Sequence, residues 1–563
     1  MRREASVVNK KVCSFPILFA LLALLIGTCA VVFPASAQAA PTSTGSITVN
    51  GSVARSYDAY QIFSASVVDG DSDDKIATDL AWASDAVRDA ALPVLHSAGM
   101  SNSQTTAQEA AEWLNTDSHL TSALSAQLAR SLQSSGAKSV ALNAGTTAEL
   151  PCGYWLIVAD DDAIAQNEAG TAPIMALVGG SAVTVKPKAA TPKVAKHVLE
   201  DSTAAWQKAA DATVADDLYW RLSATVPAGL TAYDTYTVQF VDTMSAGLDP
   251  SKVAASMHVY VAAGADGGFD AVQTGKDGRA GTEPAKGWTD ITAECATKVA
   301  ADGKTFTVRT GDLIAALGGA DAFTAGARVV AVYNAPLNSA CNHGIAKGNP
   351  NQVYLRYPRS PLADQSGDAG FTHTPSDDAC AYTWDLALTK RSSDGDKPLA
   401  GAVLSIADDR GRTLAADGTW DAEGKATVTT GEDGRVTVSG VDSGKLEVRE
   451  LKAPKGYTAF GGTRSVTVKA EGLDVDQVAA AKPKLTITAE SPLRADSADG
   501  STGSLEASLI NTPTGTPPSI FTGGFMPLTG DMAMFTAAAV AVVGAVLIVV
   551  ALLVKRGGGS HKE

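Results

Sequence analysis

The chain has 563 residues, with 45 Lys and Arg against 60 Asp and Glu, a formal net charge of −15, and 52 Gly and 24 Pro. An acidic chain without basic clusters argues against nucleic acid as a partner. Short alternating segments rich in Gly, Thr, Ser, Val and Ala, punctuated by Gly/Asp turns, point to an all-β protein of tandem Ig-like β-sandwiches.

In chain order, Arg2, Arg3, Lys10 and Lys11 come first, followed by an apolar run from Phe15 to Phe33. That run closes on Ala35-Ser36-Ala37-Gln38-Ala39-Ala40. Charged, apolar and small-residue regions in this order read as a secretory signal peptide, residues 1–39, cleaved after Ala37 or, preferably, Ala39. Roughly 490 residues then remain between the terminal processing segments, room for three ordinary domains.

The first domain is expected over 42–185, opening with the strand Ser46-Ile47-Thr48-Val49 and closing with Tyr154-Trp155-Leu156-Ile157-Val158 and Ala182 to Val185. Ser84 to Ser135, rich in Ala, Leu, Gln and Glu, reads as helices inserted in that domain. Residues 186–193 hold Pro187 and Pro192 among Lys186, Lys188 and Lys193, the mark of a linker. The second domain is expected over 194–378 and the third over 382–511, with a Pro/Gly/Thr spacer at 512–525.

Cys13 and Cys29 leave with the leader; Cys152, Cys295, Cys341 and Cys380 remain in an oxidising compartment. Four cysteines allow three pairings. Cys295 with Cys341 is favoured because both fall in one expected domain. No cofactor or metal is expected: the histidines are scattered, and the run Asp69, Asp71, Asp73, Asp74 has Leu80 where a calcium loop needs Glu. No Ser–His–Asp set, phosphate loop or dinucleotide fingerprint stands out, so the chain is not expected to be an enzyme.

Strand parity carries the strongest signal. Side chains of a half-buried strand alternate between core and solvent. Trp384, Leu386 and Leu388 share a face with Lys390; Leu446 and Val448 share one with Glu450; Leu505, Ala507 and Leu509 share one with Asn511. The second domain repeats the set. Val194 and Val198 bracket Lys196, Tyr236, Val238 and Phe240 lead into Asp242, and Asn351 shares a face with Val353, Leu355 and Tyr357. Asn338 and Asn349 remain alternatives to Asn351. A buried lysine loses its charge and becomes a nucleophile, and a buried carboxylic acid stays protonated and polarises an amide. Lysine, acid and asparagine on core faces are what a self-generated isopeptide bond requires.

Lys390, then Arg449-Glu450-Leu451-Lys452-Ala453-Pro454-Lys455-Gly456-Tyr457, then Ile510-Asn511 resembles the last, collagen-adhesin-B-like domain of Gram-positive major pilins. Asp242-Thr243-Met244-Ser245-Ala246-Gly247-Leu248 is similar to the pilin second domain, of the collagen-adhesin-A type. The resemblance implies that Glu450 promotes a Lys390–Asn511 bond, with Lys196, Asp242 and Asn351 as the second set.

Parity turns Lys188 outward, opposite to Val183 and Val185, and Val183 to Lys188 resembles the pilin motif with Lys186 in its usual tyrosine position. At the C-terminus, Met526-Pro527-Leu528-Thr529-Gly530, the apolar stretch 534–554 and the pair Lys555, Arg556 together resemble a cell-wall sorting signal over 526–563, with Met526 where the family has leucine. That stretch is long enough to span a bilayer as a transient membrane anchor. The resemblance implies that a pilus-specific sortase cleaves Thr529–Gly530 and joins Thr529 of one subunit to Lys188 of the next. The expected partners are therefore the sortase, identical subunits in a covalent homopolymer, peptidoglycan directly or through a base pilin, and a host-surface ligand. The expected place is the cell wall and surface as a fimbria. A monomeric wall-anchored adhesin, or a tip or base pilin, is the alternative.

Overall fold

The strand Trp384–Ser392 buries Trp384, Leu386 and Leu388 and then, on the same face, Lys390. Alternation of this kind organises a computed structural model that describes residues 43–50, 56–70, 74–116, 118–187, 190–275 and 277–515. The leader, Lys188, the sorting motif and the apolar stretch 534–554 lie outside the described residues. Among the described residues no helix is long and apolar enough to cross a membrane.

The N-terminal part has three layers. A five-stranded sheet runs Lys75–Trp82, Ser56–Asp69, Gly153–Ala159, Ile174–Val178, with Ser139–Asn143 also on Ser56–Asp69. One face packs Tyr57, Ala59, Trp155 and Ile157 against Ile47, Val49 and Leu150 of a small sheet, Thr147–Pro151, Thr44–Val49, Val183–Val185. The other face carries three helices, α1 Asp85–Ser97, α2 Ala107–Asn115 and α3 Ser122–Ser135. Each starts where the sequence offers a cap: Ser84 accepts from Val87 N–H, Thr106 and Glu109 form a reciprocal capping box, and Thr121 accepts from Leu124 N–H. Gly136, at φ 74°, closes α3 in the left-handed conformation that glycine adopts without strain. Val87, Leu95, Leu124, Leu128 and Leu132 then meet Ile62, Phe63, Leu156 and Val158 of the sheet.

The middle part is a two-sheet sandwich. One sheet orders Ala205–Gln207, Lys193–Glu200, Tyr219–Val226, Ala327–Asn334, His258–Ala263 and Thr289–Asp290. The other orders Ala209–Asp211, Asp377–Tyr382, Asn349–Pro358, Gln239–Met244, Thr305–Arg309 and Ala296–Val299, with Phe371–His373 on Asn349–Pro358. Trp220, Phe240, Phe306, Tyr333 and Tyr357 fill the space between them. The asparagine strand Asn349–Pro358 is not the last of this sandwich, since Asp377–Tyr382 follows and pairs with it.

The C-terminal part is a second sandwich. In one sheet the first strand, Trp384–Ser392, lies between Arg435–Val441 and the last strand, Ser504–Pro513, to which it pairs in parallel. The facing sheet contains Val403–Ala407, Gly444–Lys452 and Thr463–Glu471 as neighbours. The expectation of mostly β, tandem sandwiches with a helical insertion in the first is borne out.

Polar contacts join successive parts. Arg130 pairs with Asp234 at 2.6 Å, and Gly170 N–H donates to the Arg359 carbonyl at 2.7 Å. Asp211 accepts from Trp384 Nε1 at 2.6 Å and from Ser443 N–H at 2.9 Å, while Arg412 Nη2 donates to Asp216 at 2.8 Å.

The favoured Cys295–Cys341 disulfide is not formed; Cys152, Cys295, Cys341 and Cys380 are all free. Sheet register gives the reason. Cys295 precedes Ala296, which lies level with Arg309, Gln239 and Arg356 across the sheet. Cys341 lies instead at the Asn349 end of the sheet, where the next residue, Asn342, donates its N–H to Asn349 Oδ1 at 2.8 Å. From Asn349 to Arg356 is about 23 Å of strand at ~3.3 Å per residue, and a disulfide needs Cα atoms within about 7 Å. Sharing a domain did not mean sharing an end of it.

Candidate functional site

Two polar clusters interrupt the apolar cores, one in each sandwich. In the C-terminal one, Lys390 comes from the first strand and Asn511 from the last, on neighbouring parallel strands of one sheet, while Glu450 projects from the facing sheet. Lys390 Nζ lies 2.9 Å from Glu450 Oε1, and Asn511 Nδ2 donates to that same oxygen at 2.9 Å. Lys390 also donates to Asn511 Oδ1. The second carboxylate oxygen accepts from Phe460 N–H at 3.0 Å, and the Phe460 ring stands 5.6 Å from Nζ. The Lys390 side chain is 0% exposed. Burial draws its pKa down to about 8, against the opposing pull of Glu450.

In the middle sandwich, Lys196 projects from one sheet, and Asp242 and Asn351 from the other. Asp242 lies opposite Val353, two residues from Asn351, so the two are diagonal neighbours on one face. Lys196 Nζ donates to Asp242 Oδ2 and, at 2.8 Å, to the Tyr333 hydroxyl. Tyr333 donates to Asp242 Oδ2 at 3.1 Å and accepts from Asn351 Nδ2 at 2.8 Å. Burial lowers Lys196 to about 8 and raises Asp242, whose shift the lysine opposes. Both displacements favour the uncharged forms. Asp242 Oδ1 and Asn351 Oδ1 are buried without a hydrogen-bond partner, a costly state for either atom.

Of the alternatives to Asn351, Asn349 is spent on backbone, donating to the carbonyls of Asn342 and Ala381. Asn338 caps a turn by donating to the carbonyls of Ala246 and Leu248. Asn351 is the asparagine that the fold brings to Lys196 and Asp242.

Sequence reasoning missed Tyr333 and the pair Lys208 and Asp377. Asp377 accepts from the Lys196 N–H at 2.7 Å and Lys208 donates to the Lys196 carbonyl at 2.9 Å, so both backbone groups of the lysine are fixed by one ion pair. Tyr333 lies in a strand buried almost throughout, so nothing in its pattern separates it from ordinary core. Lys208 lies between two three-residue strands too short to show a period, and Asp377 opens a strand whose buried residues run without alternation.

Lys186 is exposed and Val185 buried where the chain leaves its first three layers, and the described residues stop at Pro187 before the sortase-acceptor candidate Lys188. Met526, Pro527, Leu528, Thr529 and Gly530 are likewise outside them. Among the described residues no group of three or more His, Cys, Asp or Glu is arranged to hold a metal ion.

Residues 385–482 match the family described as SpaA, a prealbumin-like fold domain. This segment of the chain is similar to a SpaA prealbumin-like domain. It holds Lys390 and Glu450, and the strand with Asn511 completes its sheet. The trypsin-resistant surface T6 protein of Streptococcus pyogenes serotype M6 is 30% identical over 143 residues, a match spanning 24% of this chain and 24% of the relative. That match and the SpaA domain bear out the resemblance to Gram-positive backbone pilins. Among solved structures, the three-domain T6 backbone pilin of that serotype is similar at 18% identity and a TM-score of 0.45, covering 84% of this chain and 98% of its own. The full-length major pilin SpaD of Corynebacterium diphtheriae is similar at 14% identity and a TM-score of 0.40, covering 84% and 98%.

Proposed function

We propose that the chain is the repeating structural subunit of a covalent surface pilus, and that each of its two sandwich cores closes an isopeptide bond. The observation that carries this reading is the pair of buried Lys–acid–Asn clusters, each with lysine and asparagine held to a common oxygen. In the reaction the neutral lysine amine attacks the asparagine Cγ; the Nζ–Cγ bond forms and the Cγ–Nδ2 bond breaks. One amine proton passes to Nδ2, which leaves as ammonia. The fold supplies proximity and orientation, and a neutral amide replaces a buried ion pair that is costly to desolvate. This is a single intramolecular turnover, in keeping with a structural protein rather than an enzyme.

The two bonds would act differently. Lys390–Asn511 ties the first and last strands of one sheet, so tension applied at the chain ends of that domain passes through the bond. Lys196–Asn351 staples one sheet to the other. Both suit a subunit that transmits load along a fibre.

Assembly rests on the sequence: an outward Lys188 and a Met526-Pro527-Leu528-Thr529-Gly530 sorting motif, through which a pilus-specific sortase would link Thr529 of one subunit to Lys188 of the next. The base of the fibre would join peptidoglycan, and the leader and the apolar stretch would route the chain to the wall. Wall extracts on a denaturing gel should give a ladder of covalent multimers that Lys188→Ala abolishes. A single monomer band in the wild type would contradict the shaft role and favour a monomeric wall-anchored adhesin.

A further inference from the structure

The two clusters differ in one oxygen. In the C-terminal sandwich, Glu450 Oε1 touches both reacting nitrogens, at 2.9 Å from Lys390 Nζ and 2.9 Å from Asn511 Nδ2. In the middle sandwich that position, 2.8 Å from Lys196 Nζ and 2.8 Å from Asn351 Nδ2, is filled by the Tyr333 hydroxyl. Asp242 reaches Lys196 and Tyr333, whereas Asn351 spends its donated bond on the phenol and its Oδ1 has no partner. Asp242 is a diagonal neighbour of Asn351 on the same sheet, and its carboxyl, one methylene shorter than a glutamate's, bonds Lys196 and Tyr333 but not the Asn351 nitrogen.

We propose that in the middle sandwich Tyr333 is the proton carrier of bond formation, taking the proton that the Lys196 amine loses and giving its own to the departing Asn351 nitrogen. This rests on the bond-forming reading above and extends it: aspartate and tyrosine together do what one glutamate does in the other domain. The Nζ–Cγ bond forms, the Cγ–Nδ2 bond breaks, the phenol gains one proton and loses one, and ammonia leaves. Nothing is consumed but the amine and the amide.

The phenol is built into place for this. Tyr333 lies opposite Trp220, which in turn lies opposite Val198, two residues from Lys196 in the same sheet. Its ring is fixed edge-on against Phe306, centroids 4.8 Å apart at 73°. The hydroxyl makes one donated and two accepted hydrogen bonds, its full capacity. Burial and the neighbouring Asp242 hold the phenol well above its ordinary pKa, which disfavours a free phenolate. At rest the hydroxyl donates to Asp242 Oδ2; it turns to Nδ2 once attack on Cγ frees that nitrogen's lone pair, while Asp242 Oδ2 supports positive charge developing on the attacking nitrogen.

The test is a time course of intact mass on newly synthesised ectodomain, about 17 Da being lost per bond as ammonia. Tyr333→Phe keeps the ring and its packing and removes only the hydroxyl. It should show at once the deficit from the Lys390–Asn511 bond, while the middle-domain deficit appears at least ~100-fold more slowly, the usual scale of lost general acid–base help. Asp242→Glu in the Tyr333→Phe background should recover the second deficit, because the longer acid reaches both nitrogens. Regain there also separates a proton-carrying role from a packing role, which a longer acid would not repair. Wild-type kinetics in Tyr333→Phe, or a protease-resistant double variant that does not regain the bond, would overturn the inference. A wild-type chain lacking the middle-domain deficit would instead overturn the bond-forming reading itself.

Discussion

Lys390 lies opposite Leu509, two residues short of Asn511 on the neighbouring parallel strand, yet its Nζ donates to the Asn511 amide oxygen. Residues offset by two on adjoining strands share a face as diagonal neighbours, and the four-carbon stem of lysine spans that offset. Pairing the first strand with the last therefore assembles the reactants without any further movement of the backbone.

Lys390→Met should remove the C-terminal cross-link while keeping most of the buried volume. The residues joined are 121 apart in sequence, and by analogy with a disulfide a loop of that size is worth about 4–5 kcal/mol. Calorimetry should show the unfolding of that domain fall by roughly 10–20 °C with the middle domain unmoved. Glu450→Ala should cost more than Lys390→Met, because it leaves the lysine charge buried without its partner.

The junction between the two sandwiches should weaken as pH rises from 5 to 8. Glu200, Asp201, Asp211 and Asp442 converge there, with Arg410 and Arg412 facing Asp216 and Asp201 at its rim. Burial first, then Asp211, pushes Glu200 up to about 7, and burial with the neighbouring carboxylates raises Asp442. A carboxyl whose pKa is higher folded than unfolded binds more protons in the folded state. Its contribution is thus greatest below the unfolded value, near 4.5, and is lost as pH climbs through about 7. The loss should be on the order of 1–3 kcal/mol. Asp442→Asn should flatten this part of the pH–stability curve measured by thermal unfolding; a slope unchanged from wild type would refute the assignment.

Reducing agent should leave thermal unfolding unchanged. Burial raises the thiol of Cys295 to about 12 and those of Cys341 and Cys380 to about 11, which suppresses the reactive thiolate. Those three thiols should resist maleimide in the native protein at pH 7.5. All four cysteines of the described residues should label in denaturant without reduction, and fewer than four labelled would reveal a disulfide.

Six polar residues were legible in the sequence because strand parity depends only on the local chain. Lys390, Glu450 and Asn511 each interrupt a period-two run of apolar residues, and each side chain lies in the core. Parity says which face a residue takes and nothing about its height along the sheet. That is why parity could not separate Asn351 from Asn349, two residues away on the same buried face, and why Cys295 and Cys341, at opposite ends of one sheet, were wrongly paired. Tyr333 escaped notice for a different reason. A tyrosine on a buried face looks like ordinary core, and only the convergence of Lys196, Asp242 and Asn351 on its hydroxyl marks it as chemistry. The helices of the first domain were readable from composition over Ser84 to Ser135, and their starts follow from the caps Ser84, Thr106 and Thr121.

Intact mass of the purified wild-type ectodomain, followed by mass mapping of its peptides, tests the central claim most directly. The account predicts a total about 34 Da below the sequence mass, with branched peptides joining Lys196 to Asn351 and Lys390 to Asn511 through loss of ammonia. A mass equal to the sequence value, with all four of those residues recovered in linear peptides, would contradict it.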